Sequence, residues 1–154
     1  MRQLPHAPGV GPQLPSSYKL EPATNKEHTM PAFSKDTAPN VQDAGLAVDR
    51  GGELEGYTAD FVTIRQAHSL AAMLKGLPGD SCQCPHWGYL LAGRITVSYA
   101  DREETYQAGD AFYMAPGHVP AAETGTEFLQ FSPTDQLAET LAAMKANAAA
   151  MQAG

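Results

Sequence analysis

From Tyr57 onward the chain is a series of short segments rich in β-branched and aromatic residues, separated by Gly, Pro or Asp. Such segments predict strands, because these side chains pack well on a pleated sheet. The predicted strands are 57–64, 82–91, 95–99, 104–106, 111–114, 119–123 and 127–131. A further segment, 70–77, fits either a helical turn or a strand. Many short strands between tight turns are typical of an antiparallel sandwich or jelly-roll barrel, so the predicted fold is all-β.

The end of the chain has the pattern of a helix. Ser132 is placed to cap a helix, Pro133 suits its first position, and Asp135 supplies the acidic group of a capping box. An apolar stripe then follows at spacings of four and three residues, which is the helical period. Its members are Leu137, Leu141, Met144, Ala148 and Met151. The sequence therefore predicts a C-terminal α-helix over 133–154, whose stripe packs on its own barrel in preference to a dimer contact.

The start of the chain differs from the rest. Residues 1–29 are rich in Pro, Gly, Ser and Gln and show neither hydrophobic period, which predicts a disordered N-terminal extension. Residues 30–56 carry Pro39, Gly45 and Gly51 and are interpreted as a loop-like lead-in arm. With 154 residues and 43% hydrophobic content, the chain has enough apolar surface for one ordinary core, formed by a barrel over 57–132.

The charge of the chain excludes several kinds of partner. Its formal net charge is −7 and no basic stripe occurs, which argues against nucleic acid and against an anionic membrane surface. No segment approaches the roughly 20 apolar residues of a membrane span. The first residues also lack the apolar run of a signal peptide. We therefore expect a soluble cytoplasmic protein.

Both cysteines of the chain lie close to a histidine. Cys82, Cys84 and His86 have the same parity, so in an extended strand all three side chains would face one cavity, with Trp87 packing outside it. A Cys-x-Cys loop is too tight for an unstrained disulfide, and a reducing cytosol favours thiols or metal ligands. The alternative is that two small thiols and an interior histidine simply fill the barrel.

One pattern of spacing ends at Gly93, with His86 seven residues before it and Cys82 and Asp80 farther upstream. It resembles the first motif of the cupin superfamily, which runs Gly, five residues, His-x-His, three or four residues, Glu, six residues, Gly. In that alignment His86 takes the Glu position, and Cys82 and Asp80 take the two His positions. The resemblance covers about 57–132 and implies a cupin-like barrel in which the usual three-His-one-Glu metal site has been rewritten.

A second pattern begins at Gly109 and continues through Pro116 and Gly117 to His118. It resembles the second cupin motif, which runs Gly, five residues, Pro-x-Gly, two residues, His. The Pro is shifted by one residue, and the motif's His position falls on Pro120. The resemblance also implies a homodimer and a small-molecule ligand or substrate in the barrel.

The residues present suggest a modified metal site. Residues 82 and 86 would be roughly 13 Å apart in a straight strand, so Cys84 and His86 are the easier pair of ligands. His118, near the family's last histidine, is the expected third ligand, and Cys82 is a possible fourth. Sulfur and nitrogen donors favour tetrahedral zinc, with Fe(II) as the second choice, whereas Mg²⁺ and Ca²⁺ prefer oxygen.

Three functions are compatible with such a site. Three protein ligands would leave a position for water or substrate, as in metal-dependent enzymes acting on small metabolites. Four would close the site and make the zinc structural. The non-enzymatic alternatives are thus a barrel with structural zinc or a barrel that binds or senses a small ligand. Oxidation of the two cysteines, with release of the metal, is a third hypothesis. Tyr89, Tyr113 and Glu123 are candidate acid–base groups, with barrel or surface positions as the alternative.

Overall fold

The computed structural model describes residues 32–154, so the predicted disordered extension over 1–29 lies outside the described residues. The described part contains ten strands and one helix. The strands are β1 Asn40–Asp43, β2 Ala47–Leu54, β3 Tyr57–Ile64, β4 His68–Ser69, β5 His86–Ala92, β6 Arg94–Ser98, β7 Glu103–Gln107, β8 Ala111–Met114, β9 Val119–Ala122 and β10 Glu127–Pro133. The helix α1 is Thr134–Ala153, and a short 3₁₀ turn covers Pro78–Asp80.

The strands form two antiparallel sheets. One has six strands in the order β1-β2-β3-β10-β5-β8, and the other has four in the order β4-β9-β6-β7. From β3 to β6 and again from β7 to β10, each strand lies in the opposite sheet from the strand before it, as in a jelly roll. The predicted all-β barrel with a C-terminal helix is confirmed. Among residues 32–154, no helix combines the length and apolar character needed to cross a membrane.

The interpretation of residues 30–56 as loop is wrong over much of its length, because β1 and β2 belong to the larger sheet. Of the glycines interpreted as loop signals, Gly45 lies in the turn between β1 and β2, whereas Gly51 lies inside β2 beside Gly52. The two glycines of β2 are needed there for close packing. A Cβ on Gly52 would lie 2.7 Å from the Pro39 side chain, and one on Gly51 would meet the Asp60 carboxyl group. Glycine in this strand therefore marks crowding by neighbouring groups.

The core consists of two clusters. The first fills the space between the sheets and comprises Leu90, Ile95, Val97, Phe112 and Met114. The second lies below the helix and comprises Leu74, Cys82, Cys84 and Leu137, with Met144 packed against it. The apolar stripe of α1 thus packs on its own barrel through Leu137 and Met144, while Leu141 and Met151 are exposed.

The connection that precedes β5 differs from the prediction in one part. Residues 70–77 form turns, which agrees with the helical-turn alternative. However, β5 begins only at His86, so the expected strand over 82–91 lacks its first four residues. Pro85 accounts for this, because proline lacks an N–H for the sheet and restricts the residue before it. Cys82 still pairs with a distant strand, since its N–H donates to the His118 carbonyl oxygen at 2.9 Å.

Candidate metal site and cavity

The fold brings Cys82, His86 and His118 together. One ligand atom from each side chain lies within 4.8 Å of the other two. Cys82 Sγ is 3.5 Å from His86 Nε2, and the two imidazole rings meet edge to face with centroids 5.0 Å apart. An isolated β-bridge between Cys82 and His118 holds the first and third residues together, and His86 opens β5 beside them.

Hydrogen bonds orient both rings in the same sense. His118 Nδ1 is 2.7 Å from the Ala115 carbonyl oxygen, which can only accept, so Nδ1–H donates there and Nε2 is left unprotonated. His86 Nδ1 is 2.6 Å from Ser132 Oγ. Ser132 therefore does not cap the helix as predicted; α1 begins after Pro133 without a side-chain cap. In both rings Nδ1 has a hydrogen-bond partner outside the cluster, as is usual for metal-binding histidines, and His86 Nε2 is directed at Cys82 Sγ.

Burial keeps this cluster neutral. Cys82, His86 and His118 are all buried, the last with only 1% of its surface exposed. Burial, reinforced by the neighbouring His118, lowers the pKa of His86 to about 3, and burial also lowers the pKa of His118. The pKa of the Cys82 thiol is raised by burial. A bound divalent cation is the kind of group that would stabilise the Cys82 thiolate in such surroundings.

Cys84 does not join this cluster. Its Sγ lies 3.5 Å from the Pro85 carbonyl oxygen and 4.0 Å from that of Pro133. Burial, then the proximity of Cys82 and Asp135, raises the pKa of Cys84 to about 12. The prediction that Cys84 is the easier partner of His86 assumed a straight strand, whereas the chain between Cys82 and His86 is bent. Of the four predicted ligands, the structure thus places Cys82, His86 and His118 together and Cys84 apart.

The cluster adjoins a cavity of about 740 Å³ between the sheets and the helix. His86 lines it, together with inward-facing residues of both sheets and the apolar stripe of α1. Most lining side chains are apolar, among them Ile95, Phe128 and Leu137. A small molecule in this cavity would therefore meet an apolar wall and, at one place on it, the His86 imidazole.

Two carboxyl groups also line the cavity, Asp49 on β2 and Asp60 on β3. Asp60 pairs in register with Gly51, so the two aspartates are diagonal neighbours on one sheet face. Burial, then the charge of Asp49, raises the pKa of Asp60 to about 7, and burial raises the pKa of Asp49. Neither residue was predicted from the sequence. Asp60 offered a signal, since it is acidic within the predicted strand 57–64, whereas Asp49 lies in the predicted loop-like arm.

The predicted acid–base groups lie elsewhere. Tyr89 and Tyr113 are exposed, and Glu123 is exposed with its carboxyl group 3.8 Å from Arg94. None of the three lines the cavity. Trp87 packs outside the barrel against Tyr113, with ring centroids 5.2 Å apart, as its parity predicted. The alternative interpretation, that the first three are barrel or surface residues, agrees with their positions.

Solved structures similar to this chain indicate its fold. No protein-family model and no curated protein matches the chain. A structural-genomics protein of unknown function from Rhizobium leguminosarum bv. viciae 3841 is 20% identical, with a TM-score of 0.50 over 67% of this chain and 95% of its own. A mutant of oxalate decarboxylase OxdC from Bacillus subtilis is 19% identical, with a TM-score of 0.50 over 66% of this chain and 28% of its own. An RmlC-like cupin from Shewanella frigidimarina NCIMB 400 is 18% identical, with a TM-score of 0.48 over 70% of this chain and 92% of its own.

The chain shares the fold of the Rhizobium protein and of OxdC over about two thirds of its length. This two-sheet barrel agrees with the cupin-like jelly roll predicted from the sequence. The barrel explains why Cys82, His86 and His118 meet although His118 is far from the others in sequence. Cys82 bridges to His118, and β5, which begins at His86, pairs with β8 just before His118. Identities of this size concern the fold and carry no activity from one cupin to another.

Proposed function

We propose that this protein binds a divalent metal ion, zinc in preference to iron, through Cys82, His86 and His118, and that a small molecule in the adjoining cavity meets that ion. The observation that carries the proposal is the meeting of one thiol and two imidazoles whose Nδ1 atoms are already engaged. Both Nε2 atoms and the sulfur are left as donors. Two nitrogens and one sulfur form a ligand set that suits zinc.

The spacing of the donors supports the same conclusion. Zinc bonds of about 2.3 Å to sulfur and 2.0–2.1 Å to nitrogen imply a separation of roughly 3.6 Å between S and N at a tetrahedral centre. The distance between Cys82 Sγ and His86 Nε2 is 3.5 Å. This pair therefore needs little rearrangement to hold the ion.

Three protein ligands distinguish a reactive site from a closed one. Because Cys84 points away, the cluster among residues 32–154 offers three donors, and the cavity begins at His86. When bound, the ion would supply Lewis-acid polarisation of an oxygen or a water molecule of lowered pKa. The protein's own contribution is the orientation of the two imidazoles by Ser132 and Ala115. The adjoining cavity presents a largely apolar lining beside His86.

The cavity also supports a second function, capture of a small molecule without catalysis, because its lining is largely apolar and encloses a volume sufficient for one. Metal-dependent turnover and simple binding differ in one respect. Only turnover requires a ligand to reach the metal. The homodimer and the cytoplasmic location expected from the sequence stay predictions.

Metal content is the first test of the proposed site. We would purify the protein without added metal, reconstitute it with zinc, and measure zinc per chain by mass spectrometry. Cys82→Ser and Cys84→Ser form a matched pair, since both replace a buried thiol in the same segment. We expect zinc to be lost in Cys82→Ser and in His86→Ala, and kept in Cys84→Ser and in the control His68→Ala.

Two results would overturn the proposed site. One is a wild-type protein that takes up no zinc or iron after reconstitution. The other is zinc that survives Cys82→Ser and disappears in Cys84→Ser. Thermal melting of each variant without metal shows whether the variant is folded, so that loss of metal can be separated from loss of structure.

A further inference from the structure

One wall of the cavity is acidic and does not belong to the proposed metal site. Asp60 is 7% exposed, and both its carboxyl group and that of Asp49 line the cavity. Gly51 makes room for this arrangement, because a side chain there would collide with the Asp60 carboxyl group. The fold thus places a nearly fully buried carboxyl group on the cavity wall, in a position that a residue larger than glycine on β2 would prevent.

The chain provides no cation for this pair. Among residues 32–154, the side-chain hydrogen bond of Asp49 is to Asp60, and that of Asp60 is to Asp49. No Lys or Arg lines the cavity, and its other titratable groups are Glu53 on β2, His68 on β4 and His86 on β5. Buried carboxylates are ordinarily paired with a donor or a cation. The two carboxyl groups therefore have each other as hydrogen-bond partners and no cation in the lining, which leaves the counterion to a ligand.

The chemistry of the remaining wall indicates the kind of ligand. The side chains that surround the pair are mostly apolar, among them Val62 on β3 and Phe128 on β10, and Gln130 adds one amide close to Asp60. A ligand that satisfies both features has one cationic group and an apolar body. Anionic metabolites are disfavoured, since they would meet carboxylates with no positive side chain in the lining.

We propose that Asp49 and Asp60 bind the protonated amine of a small molecule whose apolar body fills the cavity. An ammonium group supplies up to three N–H donors, which matches two carboxyl groups and the Gln130 amide oxygen. Binding requires no covalent step and no metal. This site therefore stands on the cavity and the carboxyl pair, and it can fail or succeed independently of the zinc proposal.

Calorimetric titration of the full chain at pH 8 with n-hexylamine tests this site. At that pH the amine is protonated, since alkyl ammonium groups titrate near 10. The matched ligands 1-hexanol and hexanoate keep the apolar body and replace the cation. We expect hexylamine to bind at least about 10-fold more tightly than hexanol, as a charge-assisted hydrogen bond would provide, and hexanoate to give no measurable binding.

Substitutions test which residues bind hexylamine. Asp60→Asn and Asp49→Asn should each weaken hexylamine binding by about 10-fold or more and leave hexanol unchanged, whereas Asp36→Asn, at an exposed position, should have no effect. Hexylamine affinity should be the same before and after reconstitution with zinc, which excludes coordination of the amine to a metal. Thermal melting checks that each variant is folded.

Three outcomes would overturn the carboxyl-pair proposal: no binding of hexylamine to the wild type, equal affinity for hexylamine and hexanol, or unchanged affinity in both aspartate variants. Hexylamine binding that requires added zinc, with the aspartate variants unaffected, would assign the amine to the metal site instead. Since zinc content is measured separately, each of these results leaves the zinc proposal to be judged on its own experiment.

Discussion

The two polar groups of the cavity respond to burial in opposite ways. At the Cys82, His86 and His118 cluster, burial lowers the pKa values of the imidazoles and raises that of the thiol. At the pair of Asp49 and Asp60, burial raises the pKa values of the carboxyl groups. In each case the neutral form is favoured, because a charge in an apolar cavity is costly.

The metal cluster and the aspartate pair differ in their hydrogen-bond partners. The imidazoles have hydrogen-bond partners in Ser132 and Ala115, whereas the aspartates have mainly each other. The imidazoles are thus oriented by the fold, whereas the two carboxyl groups are held close together with no positive side chain beside them in the cavity. Both arrangements favour a cation as ligand, one through donor atoms and the other through charge. The following predictions test this difference, from the largest expected effect to the smallest.

Replacing Gly51 by alanine should disrupt the acidic end of the cavity. The added Cβ would meet the Asp60 carboxyl group and would lie 2.7 Å from the Ala59 carbonyl oxygen, which is backbone and cannot rotate away. We expect a loss of about 3 kcal/mol in the free energy of unfolding, typical of overpacking in a buried strand. Urea denaturation measures it, with Gly154→Ala as a control at the chain end. A loss below about 0.5 kcal/mol would show that the strands can move apart.

Removing the charge of Asp60 should stabilise the protein in a pH-dependent way. The folded-state pKa of about 7 lies above the ordinary value of 3.8, so the folded protein binds the extra proton between these values. Wild-type stability attributable to this group therefore falls as the pH rises from about 4 to about 7. We expect Asp60→Asn to gain on the order of 2 kcal/mol relative to the wild type at pH 8 and little at pH 4.5.

The comparison between Asp60→Asn and the wild type isolates this effect. His86 and His118 have lowered pKa values and destabilise the folded protein on the acidic side, but they are present in both proteins and cancel in the difference. Unfolding in urea at the two pH values provides the measurement, and Asp36→Asn is the control. A difference between Asp60→Asn and the wild type that does not change with pH would contradict the raised pKa of Asp60.

The serine that orients His86 should matter for the metal more than for the fold. Ser132 Oγ lies 2.6 Å from His86 Nδ1, and Ser132 is fully buried. Partners of this kind typically change metal affinity by about 10- to 100-fold when removed. We expect Ser132→Ala to weaken zinc binding by about 10-fold in a chelator competition assay, and Ser98→Ala, at an exposed position, to leave it unchanged. Equal affinities in both variants would mean that His86 needs no partner.

The sequence predicted the fold better than the site, for a physical reason. Strand patterns depend on local composition, so 57–64 and 111–114 were predicted to the residue. The arm over 30–56 was not, because the glycines of β2 look like loop signals until Asp60 and Pro39 are seen to press on them. Crowding between strands is a property of pairing, which the local sequence does not contain.

The ligand set depended on pairing as well. The sequence predicted Cys82, Cys84, His86 and His118 as metal ligands, and the resemblance to cupins assigned them to two motif regions. Which cysteine faces His86 follows from the bend at Pro85 and from the bridge between Cys82 and His118, which joins residues far apart in sequence. Ser132 was assigned to a helix cap because a serine before Pro133 fits that role equally well.

The smallest effect expected concerns the helix that covers the metal cluster. Thr140 of α1 is buried, with its Oγ1 3.5 Å from Cys82 Sγ, and its hydroxyl can donate to a thiolate. Thr140→Val keeps the shape and removes the donor. Because a hydrogen bond to sulfur at this distance is weak, we expect zinc affinity to fall by about 3-fold, equivalent to about 0.6 kcal/mol.

The matched control for Thr140→Val is Thr105→Val on β7, which is exposed and distant in the fold from the cluster. Chelator competition measures both affinities under the same conditions. A loss as large as that of Ser132→Ala would mean that the helix orients Cys82 as strongly as β10 orients His86, and the cluster would then depend on the docking of α1. An unchanged affinity would mean that the bridge between Cys82 and His118 alone positions the sulfur, so that the barrel holds the metal cluster without help from the helix.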